Sequence, residues 1–490
     1  MRATNIKLFF ALLIAAWCIG ASVPAGLQTA IDKLNADEAL KHGAWGFCVM
    51  TADSGTIIAA NKPDLSVIPA STLKILTTGA ALGLLGPDFR YETALEYDGI
   101  FDSIHHVLHG NLYLRGSGDP SFCSNYFIPE NDTANQPLSL FGKALYKMGI
   151  REIDGDVIGD ASCFSDNPVP DGWQWGDLGQ YYGAGTSGLC YKNNRVTLYF
   201  NSTKGDSCTL EKISPQPQDV VYRSYVKADG KKDEAYVYGA PYGNLCYIYG
   251  SIPAQKKAYE VDASNPDPAL QCAADFLAEM KSHGLLVKGK ASTVRLMQLE
   301  GKKSSPQRNL VSKISSPPLS EIVKQTNIHS DNTFAEQLCR TLGLLKGEGG
   351  TTEAGTDVIT NYWSSLGVNL DGLNMTDGSG LSRSNLVTTF IEASALQKIS
   401  TMKWFSYFDE SLPVAGKSGS MTSLCKGTAA ENNMRAKTGY INRARGYAGY
   451  VKTKSGRLLC FSLLANNYTC TAIEMKKKLE KILVAMAELP

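Results

Sequence analysis

The sequence lacks a strong charge of either sign. Its 48 lysines and arginines are balanced by 47 aspartates and glutamates, so the formal net charge is +1 over 490 residues. The longest run of like charges is Lys476-Lys477-Lys478, which is too short for a charged interaction tail. This balance gives no reason to expect a nucleic acid or an anionic membrane as a partner.

Paired metal ligands and paired cysteines are also missing. The chain has 12 cysteines but no Cys-x-x-Cys pair, so we predict neither a zinc site nor a compact disulfide framework. Several of these cysteines are interpreted as small buried apolar residues. His105, His106 and His109 lie close together, but their segment alternates like a strand, which favours a structural role. We therefore expect no metal and no cofactor.

Two common catalytic signatures are absent. The sequence has no Gly-x-Ser-x-Gly elbow, so we interpret His329 as a flank of Ser330 rather than its catalytic partner. Gly116-Ser117-Gly118 is not followed by the Lys-Ser/Thr of a phosphate-binding loop. Neither a Ser/His pair nor a nucleotide site is predicted.

Only one long apolar run occurs, and it lies at the N-terminus. Arg2 and Lys7 precede LFFALLIAAWCIG, and the small residues ASVPAG follow. This pattern predicts a signal peptide over residues 1–22, because the run is short for a membrane span. Cys18 raises a lipoprotein alternative, although Trp17 before it fits lipid modification poorly. We expect an exported protein of the periplasm or cell envelope with at most peripheral membrane contact.

The pattern of helices and strands changes twice along the chain. Residues 23–90 contain two strand-like runs and an apolar helix, and residues 300–490 contain long helices, three strands and a C-terminal helix. Residues 91–299 consist mostly of short β-rich runs between turns, with PALQCAADFLAEMKSHG as the only clear helix. We predict an α+β catalytic domain, 23–90 with 300–490, split by a β-rich insertion at 91–299 of two subdomains.

Three short motifs point to chemistry once their contexts are compared. Ser-x-x-Lys, Ser-Asp-Asn and Lys-[Ser/Thr]-Gly each occur more than once. Among these copies, Ser71 begins a long apolar helix, Ser330 links two helical patterns, and Lys437 lies within a strand. Ser71 and Lys74 share one face of the helix. Burial would lower the pKa of Lys74, so that it could accept the serine proton.

These motifs resemble a known family. Ser-x-x-Lys, Ser-Asp-Asn and Lys-Thr-Gly, in this order, are the set of penicillin-binding proteins and serine β-lactamases. The long gap between Ser71 and Ser330 is similar to that of the D-alanyl-D-alanine carboxypeptidase/endopeptidase family, the low-molecular-mass class C penicillin-binding proteins. The resemblance implies a penicillin-binding/β-lactamase-like fold, with an antiparallel sheet flanked by helices. Further similar stretches are GSGDPSF, DGDVIGDASCF, GWQWGDLGQYYGAG, HSDNTFAEQL, DGSGLSRSNLVT and VAGKSGSM.

The resemblance implies catalytic roles for four residues. Ser71 resembles the acylated nucleophile, and Lys74 resembles its general base. Ser330 would relay a proton between Lys74 or Lys437 and the leaving nitrogen, and Asn332 would bind the substrate amide.

The resemblance also implies a substrate-binding strand. Lys437 and Thr438 would hold the terminal carboxylate, and Gly439 would let a substrate backbone approach. The N–H groups of Ser71 and Tyr440 would form the oxyanion hole. The family usually has a small hydroxyl residue where this chain has Tyr440, which puts a second carboxylate contact at that position in question.

The predicted function is that of a serine-type D-Ala-D-Ala carboxypeptidase, with endopeptidase action as a second expected activity. The expected partners are peptidoglycan stem peptides as substrates and β-lactams as inhibitors. The segment near Trp175 and Asp177 resembles the part of the insertion that faces the cleft, a candidate for substrate selection. The alternatives are a β-lactamase or esterase on the same fold, and a non-catalytic protein that binds peptidoglycan or β-lactams.

Overall fold

The computed structural model describes residues 23–204 and 207–490. The predicted signal peptide, residues 1–22, lies outside the described residues. The described α-helices are, in chain order, α1 (Ala25–Asn35), α2 (Lys74–Leu85), α3 (Pro137–Met148), α4 (Trp175–Leu178), α5 (Pro268–Ser282), α6 (Val294–Leu299), α7 (Leu319–His329), α8 (Asn332–Lys346), α9 (Thr352–Ser365), α10 (Thr389–Ser400), α11 (Phe405–Ser411) and α12 (Ala472–Ala487).

The strands of the described ranges form six sheets. In chain order they are β1 (Ala44–Thr51), β2 (Ile57–Asn61), β3 (Glu92–Tyr97), β4 (Ile100–Asp102), β5 (Val107–His109), β6 (Leu112–Arg115), β7 (Glu152–Ile153), β8 (Val157–Asp160), β9 (Arg195–Lys204), β10 (Ser207–Ser214), β11 (Val221–Ser224), β12 (Lys227–Gly230), β13 (Tyr236–Tyr238), β14 (Leu245–Tyr249), β15 (Ser251–Pro253), β16 (Tyr259–Ser264), β17 (Leu286–Val287), β18 (Ala291–Thr293), β19 (Asn309–Ser315), β20 (Arg435–Ile441), β21 (Ala444–Lys452) and β22 (Leu458–Asn466).

One antiparallel sheet joins two strands from the N-terminal part of the chain to three strands from the C-terminal part. Its strand order is β2-β1-β22-β21-β20, and β1 pairs with β22 from Ala44 opposite Asn466 to Thr51 opposite Leu459. Both faces are covered, because most residues of β1 and β22 are buried. Helices α1 and α12 share the apolar cluster of one face, and α2, α8, α9 and α10 share that of the other.

Helix α2 is the central helix of that second face. It is apolar along most of its length, with Ile75, Leu76 and Leu82 fully buried. The structure differs from the predicted helix start, because residues 70–73 form a 3₁₀ turn and the α-helix begins at Lys74. A Cβ added at Gly79 would lie 2.8 Å from the Trp363 ring, so a glycine lets α9 pack closely on α2.

The segment between α2 and α7 builds sheets of its own. One apolar cluster lies between α3, α5 and the sheet β18-β8-β6-β3-β19, and a second lies among β9, β14 and β16. Strand β19 pairs with β3 from Ser315 opposite Glu92, so these sheets extend past residue 299. Helix α3 was not predicted, because its residues PLSLFGKALYKM include a proline and a glycine. The proline occupies the first turn, where it is tolerated.

No helix within 23–204 and 207–490 is long and apolar enough to cross a membrane. All cysteines in these ranges are free thiols, and most of them are buried, in line with their interpretation as small apolar residues. Two of the three neighbouring histidines contact acids, since His105 pairs with Asp102 and His109 with Asp154. The same ranges contain no group of three metal-ligating side chains.

Candidate active site

The Ser-x-x-Lys motif lies where the 3₁₀ turn passes into α2. Ala70 has a φ of 50°, and this turn leaves Ser71 partly exposed while Thr72 and Leu73 are buried. Lys74 is fully buried, and its Nζ donates to Ser71 Oγ at 2.9 Å. Ser71 is therefore partly exposed, whereas the lysine that contacts its hydroxyl is fully buried.

Lys74 has three hydrogen-bond acceptors. Besides Ser71, its Nζ donates to Asn332 Oδ1 at 2.6 Å and to the carbonyl oxygen of Ser379 at 2.7 Å. Burial lowers the pKa of Lys74 to about 8, although the carboxylates of Asp377 and Glu336 oppose this shift. An amine with such a pKa exchanges its proton readily near neutral pH.

The Ser-Asp-Asn motif forms the short loop between α7 and α8. Ser330 ends α7 in the left-handed conformation, with φ 56° and ψ 36°. Asp331 caps α8 by accepting from the N–H of Phe334 at 3.1 Å. Asn332 begins α8, and its Nδ2 donates to the Tyr182 carbonyl oxygen at 2.7 Å. Because the chain turns at Ser330, the side chains of Ser330 and Asn332 contact two different lysines, Lys437 and Lys74 respectively.

The Lys-Thr-Gly motif lies on the edge strand β20. Lys437 is fully buried, and its Nζ donates to Ser330 Oγ at 2.7 Å and to the Thr438 carbonyl oxygen at 2.9 Å. Burial, followed by the nearby charge of Lys74, holds the pKa of Lys437 well below its usual range. Hydrogen bonds from Lys74 and Lys437 therefore bring the three motifs together at one place.

Gly439, near the end of β20, was expected to let a substrate backbone approach, and the structure shows a different neighbour. A Cβ added there would lie 2.4 Å from the carbonyl oxygen of Pro69. The backbone that approaches Gly439 closely is therefore that of the protein itself, at the start of the Ser71 turn, where the sequence had suggested a substrate. Thr438 Oγ1 lies 2.7 Å from Ser420 Oγ. Tyr440 is 56% exposed.

Sequence reasoning missed a pair of buried carboxylates. Glu336 accepts from the N–H of Ser379 at 2.7 Å and from that of Gly378 at 3.1 Å. Asp377 accepts from the N–H of Gly380 at 2.7 Å and from Trp173 Nε1 at 3.0 Å. Burial, with the charge of Asp377, raises the pKa of Glu336 to about 7. Both acids lie in similar stretches named above, HSDNTFAEQL and DGSGLSRSNLVT, but nothing in their spacing links them to Lys74.

Similar proteins match almost the whole chain. A sequence model of the D-Ala-D-Ala carboxypeptidase 3 (S13) family matches residues 27–489. The chain is 28% identical over 460 residues to a D-alanyl-D-alanine carboxypeptidase of an Actinomadura species, covering 90% of this chain and 81% of that protein. It is 26% identical over 439 residues to D-alanyl-D-alanine carboxypeptidase DacB of Haemophilus influenzae, covering 88% of this chain and 87% of that protein.

The fold is similar to that of a solved structure. Penicillin binding protein 4 from Haemophilus influenzae matches with a TM-score of 0.75 at 23% sequence identity, covering 93% of this chain and 97% of that chain. The predicted α+β fold, penicillin-binding/β-lactamase-like, is thereby confirmed, as is the predicted family. The chain belongs to the D-Ala-D-Ala carboxypeptidase 3 (S13) family and is a serine-type D-Ala-D-Ala carboxypeptidase.

Proposed function

We propose that the acyl-enzyme of this carboxypeptidase forms on Ser71. The observation that carries this proposal is the 2.9 Å hydrogen bond between Ser71 Oγ and the Nζ of Lys74. Ser71 is partly exposed, and Lys74 beside it is fully buried. In its neutral form Lys74 takes the hydroxyl proton, so that Ser71 becomes a nucleophile.

Acylation then proceeds with each proton accounted for. Ser71 Oγ bonds to the carbonyl carbon between the two D-alanines, and the hydroxyl proton moves to Lys74. The backbone N–H groups of Ser71 and Tyr440 stabilise the negative carbonyl oxygen. The C–N bond breaks as Ser330 gives a proton to the nitrogen of the leaving D-alanine, and Ser330 regains one from Lys74, which passes on the proton it took from Ser71 and is neutral again. In deacylation Lys74 takes a proton from water, the water oxygen bonds to the ester carbon, and the ester bond breaks as Lys74 returns the proton to Ser71 Oγ.

The remaining predicted residues bind substrate in this proposal. Asn332 has an amide that can hydrogen-bond the peptide bond before the cleaved one. Its Oδ1 is held by Lys74, and its Nδ2 by the Tyr182 carbonyl oxygen. Lys437 and Thr438 receive the terminal carboxylate, since an ammonium and a hydroxyl form charge-assisted hydrogen bonds with it.

The substrate class follows from the bond that is cleaved. We assign peptidoglycan stem peptides ending in D-Ala-D-Ala as substrates, and the cross-links between them as substrates of an endopeptidase activity. Such substrates place the protein in the periplasm or cell envelope, exported by the signal peptide 1–22, with at most peripheral membrane contact. Acylation by β-lactams is supported by a Haemophilus influenzae structure complexed with a β-lactam. It is also supported by a Dictyostelium discoideum relative named penicillin-sensitive carboxypeptidase A, 22% identical over 449 residues.

The insertion contributes one wall of the site in this proposal. We propose a catalytic domain of residues 23–90 with 316–490 and an insertion of residues 91–315, in place of the predicted boundary at 299, because β19 pairs with β3. Trp175 is 56% exposed, and Asp177 Oδ1 accepts from the hydroxyl of Tyr182 at 3.2 Å. Because the Tyr182 carbonyl contacts Asn332, this segment lies next to the site and is suited to select the stem peptide.

Labelling with a fluorescent penicillin and D-alanine release from a stem pentapeptide test the proposal together. We expect Ser71→Ala to abolish both. Ser423→Ala is the matched control, because Ser423 begins another Ser-x-x-Lys sequence on the exposed surface. Labelling that survives in Ser71→Ala would overturn the assignment. Rapid turnover of the penicillin in wild type would favour a β-lactamase, and labelling without D-alanine release would favour a binding protein.

A further inference from the structure

The loop before β20 carries a hydroxyl that belongs to none of the three motifs. We propose that Ser420, together with Thr438, binds the terminal carboxylate of the substrate. This inference rests on the proposed role of Lys437 and Thr438. It adds a substrate-binding residue that neither the motifs nor their spacing indicates.

The two hydroxyls already form a pair. Ser420 Oγ and Thr438 Oγ1 lie 2.7 Å apart, and Ser420 is exposed while Thr438 is half-buried. In the free protein each hydroxyl satisfies the other. Because a hydroxyl rotates to suit its partner, both can turn towards a carboxylate. A neutral hydrogen bond is then replaced by charge-assisted ones, which are stronger.

The position of Ser420 is set by the structure around it. Residues 413–421 run beside β20, where the N–H of Ala436 donates to the Pro413 carbonyl oxygen at 3.0 Å. Ser420 lies in the 3₁₀ turn Gly419–Met421. Gly419 has a φ of 54°, and a Cβ there would lie 2.8 Å from the Ile328 carbonyl oxygen. The turn therefore packs against α7, the helix that ends at Ser330.

A second hydroxyl is needed because Tyr440 does not supply one near Thr438. Alternation along β20 puts Thr438 and Tyr440 on the same face. However, the Tyr440 ring extends towards its cross-strand partner, and the Arg445 guanidinium lies 4.9 Å from the ring centroid. Thr438 alone offers one hydroxyl to a group with two oxygens. Ser420 approaches Thr438 from the neighbouring loop, at 2.7 Å between their hydroxyl oxygens, and offers the second hydroxyl.

The role of Lys437 fits this arrangement. Two of its donors are used by Ser330 Oγ and by the Thr438 carbonyl oxygen. Burial holds the pKa of Lys437 below its usual range, but a bound carboxylate favours the charged form. In that form Lys437 has three donors, so one is left for the carboxylate beside the Thr438 hydroxyl. A carboxylate at this place meets one cation and two hydroxyls, a set that discriminates against an uncharged end group.

Acylation by benzylpenicillin and by its methyl ester tests this inference. For Ser420→Ala we expect the second-order acylation rate constant to fall about tenfold with benzylpenicillin, the loss typical of one hydrogen bond to a charged group. The change with the methyl ester should be less than about threefold, because no carboxylate remains to be bound. Ser420→Thr retains the hydroxyl and should restore discrimination between the acid and the ester.

The outcomes separate this inference from the proposed function. If Ser420→Ala leaves both rate constants unchanged, or lowers both equally, Ser420 does not bind the carboxylate, and the assignment of Ser71 is unaffected. If Ser71→Ala still labels, the proposed function itself fails. Thermal unfolding of each variant shows whether a uniform loss comes from misfolding, and Ser420→Thr that behaves like Ser420→Ala would also overturn the inference.

Discussion

The Nζ of Lys74 and the Oδ1 of Asn332 lie 2.6 Å apart, although 258 positions separate the two residues in the chain. This hydrogen bond joins the helix of the proposed nucleophile to the loop that carries the proposed amide-binding residue. A change at Asn332 therefore acts on the protonation of Lys74 as well as on substrate binding. The pH dependence of acylation can therefore distinguish an effect on the protonation of Lys74 from an effect on substrate binding.

Acylation should rise with pH through the titration of Lys74. Burial lowers the pKa of Lys74 to about 8, so below this pH the amine is protonated and cannot act as base. We expect the second-order acylation rate constant with benzylpenicillin to increase between about pH 6 and about pH 9 and then level off. Asn332→Asp adds a negative charge beside the ammonium and should move the rise to higher pH. A flat profile, or one unchanged in Asn332→Asp, would argue against Lys74 as the base.

Glu336 is predicted to act as a positioning residue for Lys74. Its carboxylate accepts the N–H groups of Gly378 and Ser379, and the Ser379 carbonyl accepts from Lys74. Glu336→Gln turns an amide NH₂ towards one of these N–H groups and should lower kcat about 10- to 100-fold. It also removes a charge that opposes the lowered pKa of Lys74, so the rise of the pH profile should move to lower pH.

The matched control for Glu336→Gln is Glu321→Gln, since Glu321 is an exposed acid of α7 that contacts Lys324. Its kcat and pH profile should remain those of wild type. A loss of kcat in Glu336→Gln without any shift of the profile would indicate a structural role only.

The insertion is predicted to stabilise the Ser-Asp-Asn loop through Arg195. Its guanidinium contacts the fully buried Asp331 carboxylate at 2.5 Å. Arg195→Met leaves this carboxylate without its positively charged partner, and we expect the free energy of unfolding measured with urea to fall by about 3–5 kcal/mol. D-alanine release should fall as well, because Asp331 lies between Ser330 and Asn332.

Arg115→Met provides the comparison for Arg195→Met. Arg115 pairs with Glu96 at 2.8 Å, but its side chain is 44% exposed. Removal of this partly exposed pair should cost less than about 1 kcal/mol and leave activity unchanged. Equal losses of unfolding free energy in the two variants would show that the contact with Asp331 stabilises the protein no more than a partly exposed ion pair does.

Gly439 is predicted to set the distance between β20 and the Ser71 turn. In Gly439→Ala the new Cβ would lie 2.4 Å from the Pro69 carbonyl oxygen, so the turn must move and acylation should fall by at least about tenfold. Gly142→Ala is the control, because a Cβ at that helical position meets nothing within 4 Å. It should leave acylation unchanged and raise stability by about 0.5–1 kcal/mol. Wild-type acylation in Gly439→Ala would contradict this prediction.

The sequence predicted the elements of the catalytic part well because their signals are local. The three strands predicted in the C-terminal part correspond to β20, β21 and β22, and the apolar helix predicted to begin at Ser71 ends at Leu85, before Gly86. The start of α2 was predicted less well, since tertiary contacts of the Ser71 turn with β20 favour a 3₁₀ turn there. Helix α3 was missed although Leu138, Phe141 and Leu145 are spaced to share one helical face, because its proline and glycine resemble turn signals.

Only those residues of the candidate site that belong to the three motifs could be predicted from the sequence. Ser71, Lys74, Ser330, Asn332 and Lys437 were selected by context and resemblance, and the structure brings them together. Glu336, Asp377 and Ser420 could not be assigned in this way. Their contacts are with backbone N–H groups or with another hydroxyl, and such contacts depend on the fold and leave no pattern in the spacing of residues.

The chain's sequence by itself determined the order of its motifs, the residue types available for the chemistry, and the amphipathic and apolar patterns of its main helices and strands. Only the tertiary structure decided how closely the motifs selected from the repeated copies approach one another. It also decided that Lys74 is buried deeply enough for its pKa to fall to about 8, and that a hydroxyl of a separate loop lies beside Thr438. The physical reason is that burial and hydrogen-bond distance arise from packing between segments far apart in the chain, whereas periodicity and motif spacing are properties of the chain itself.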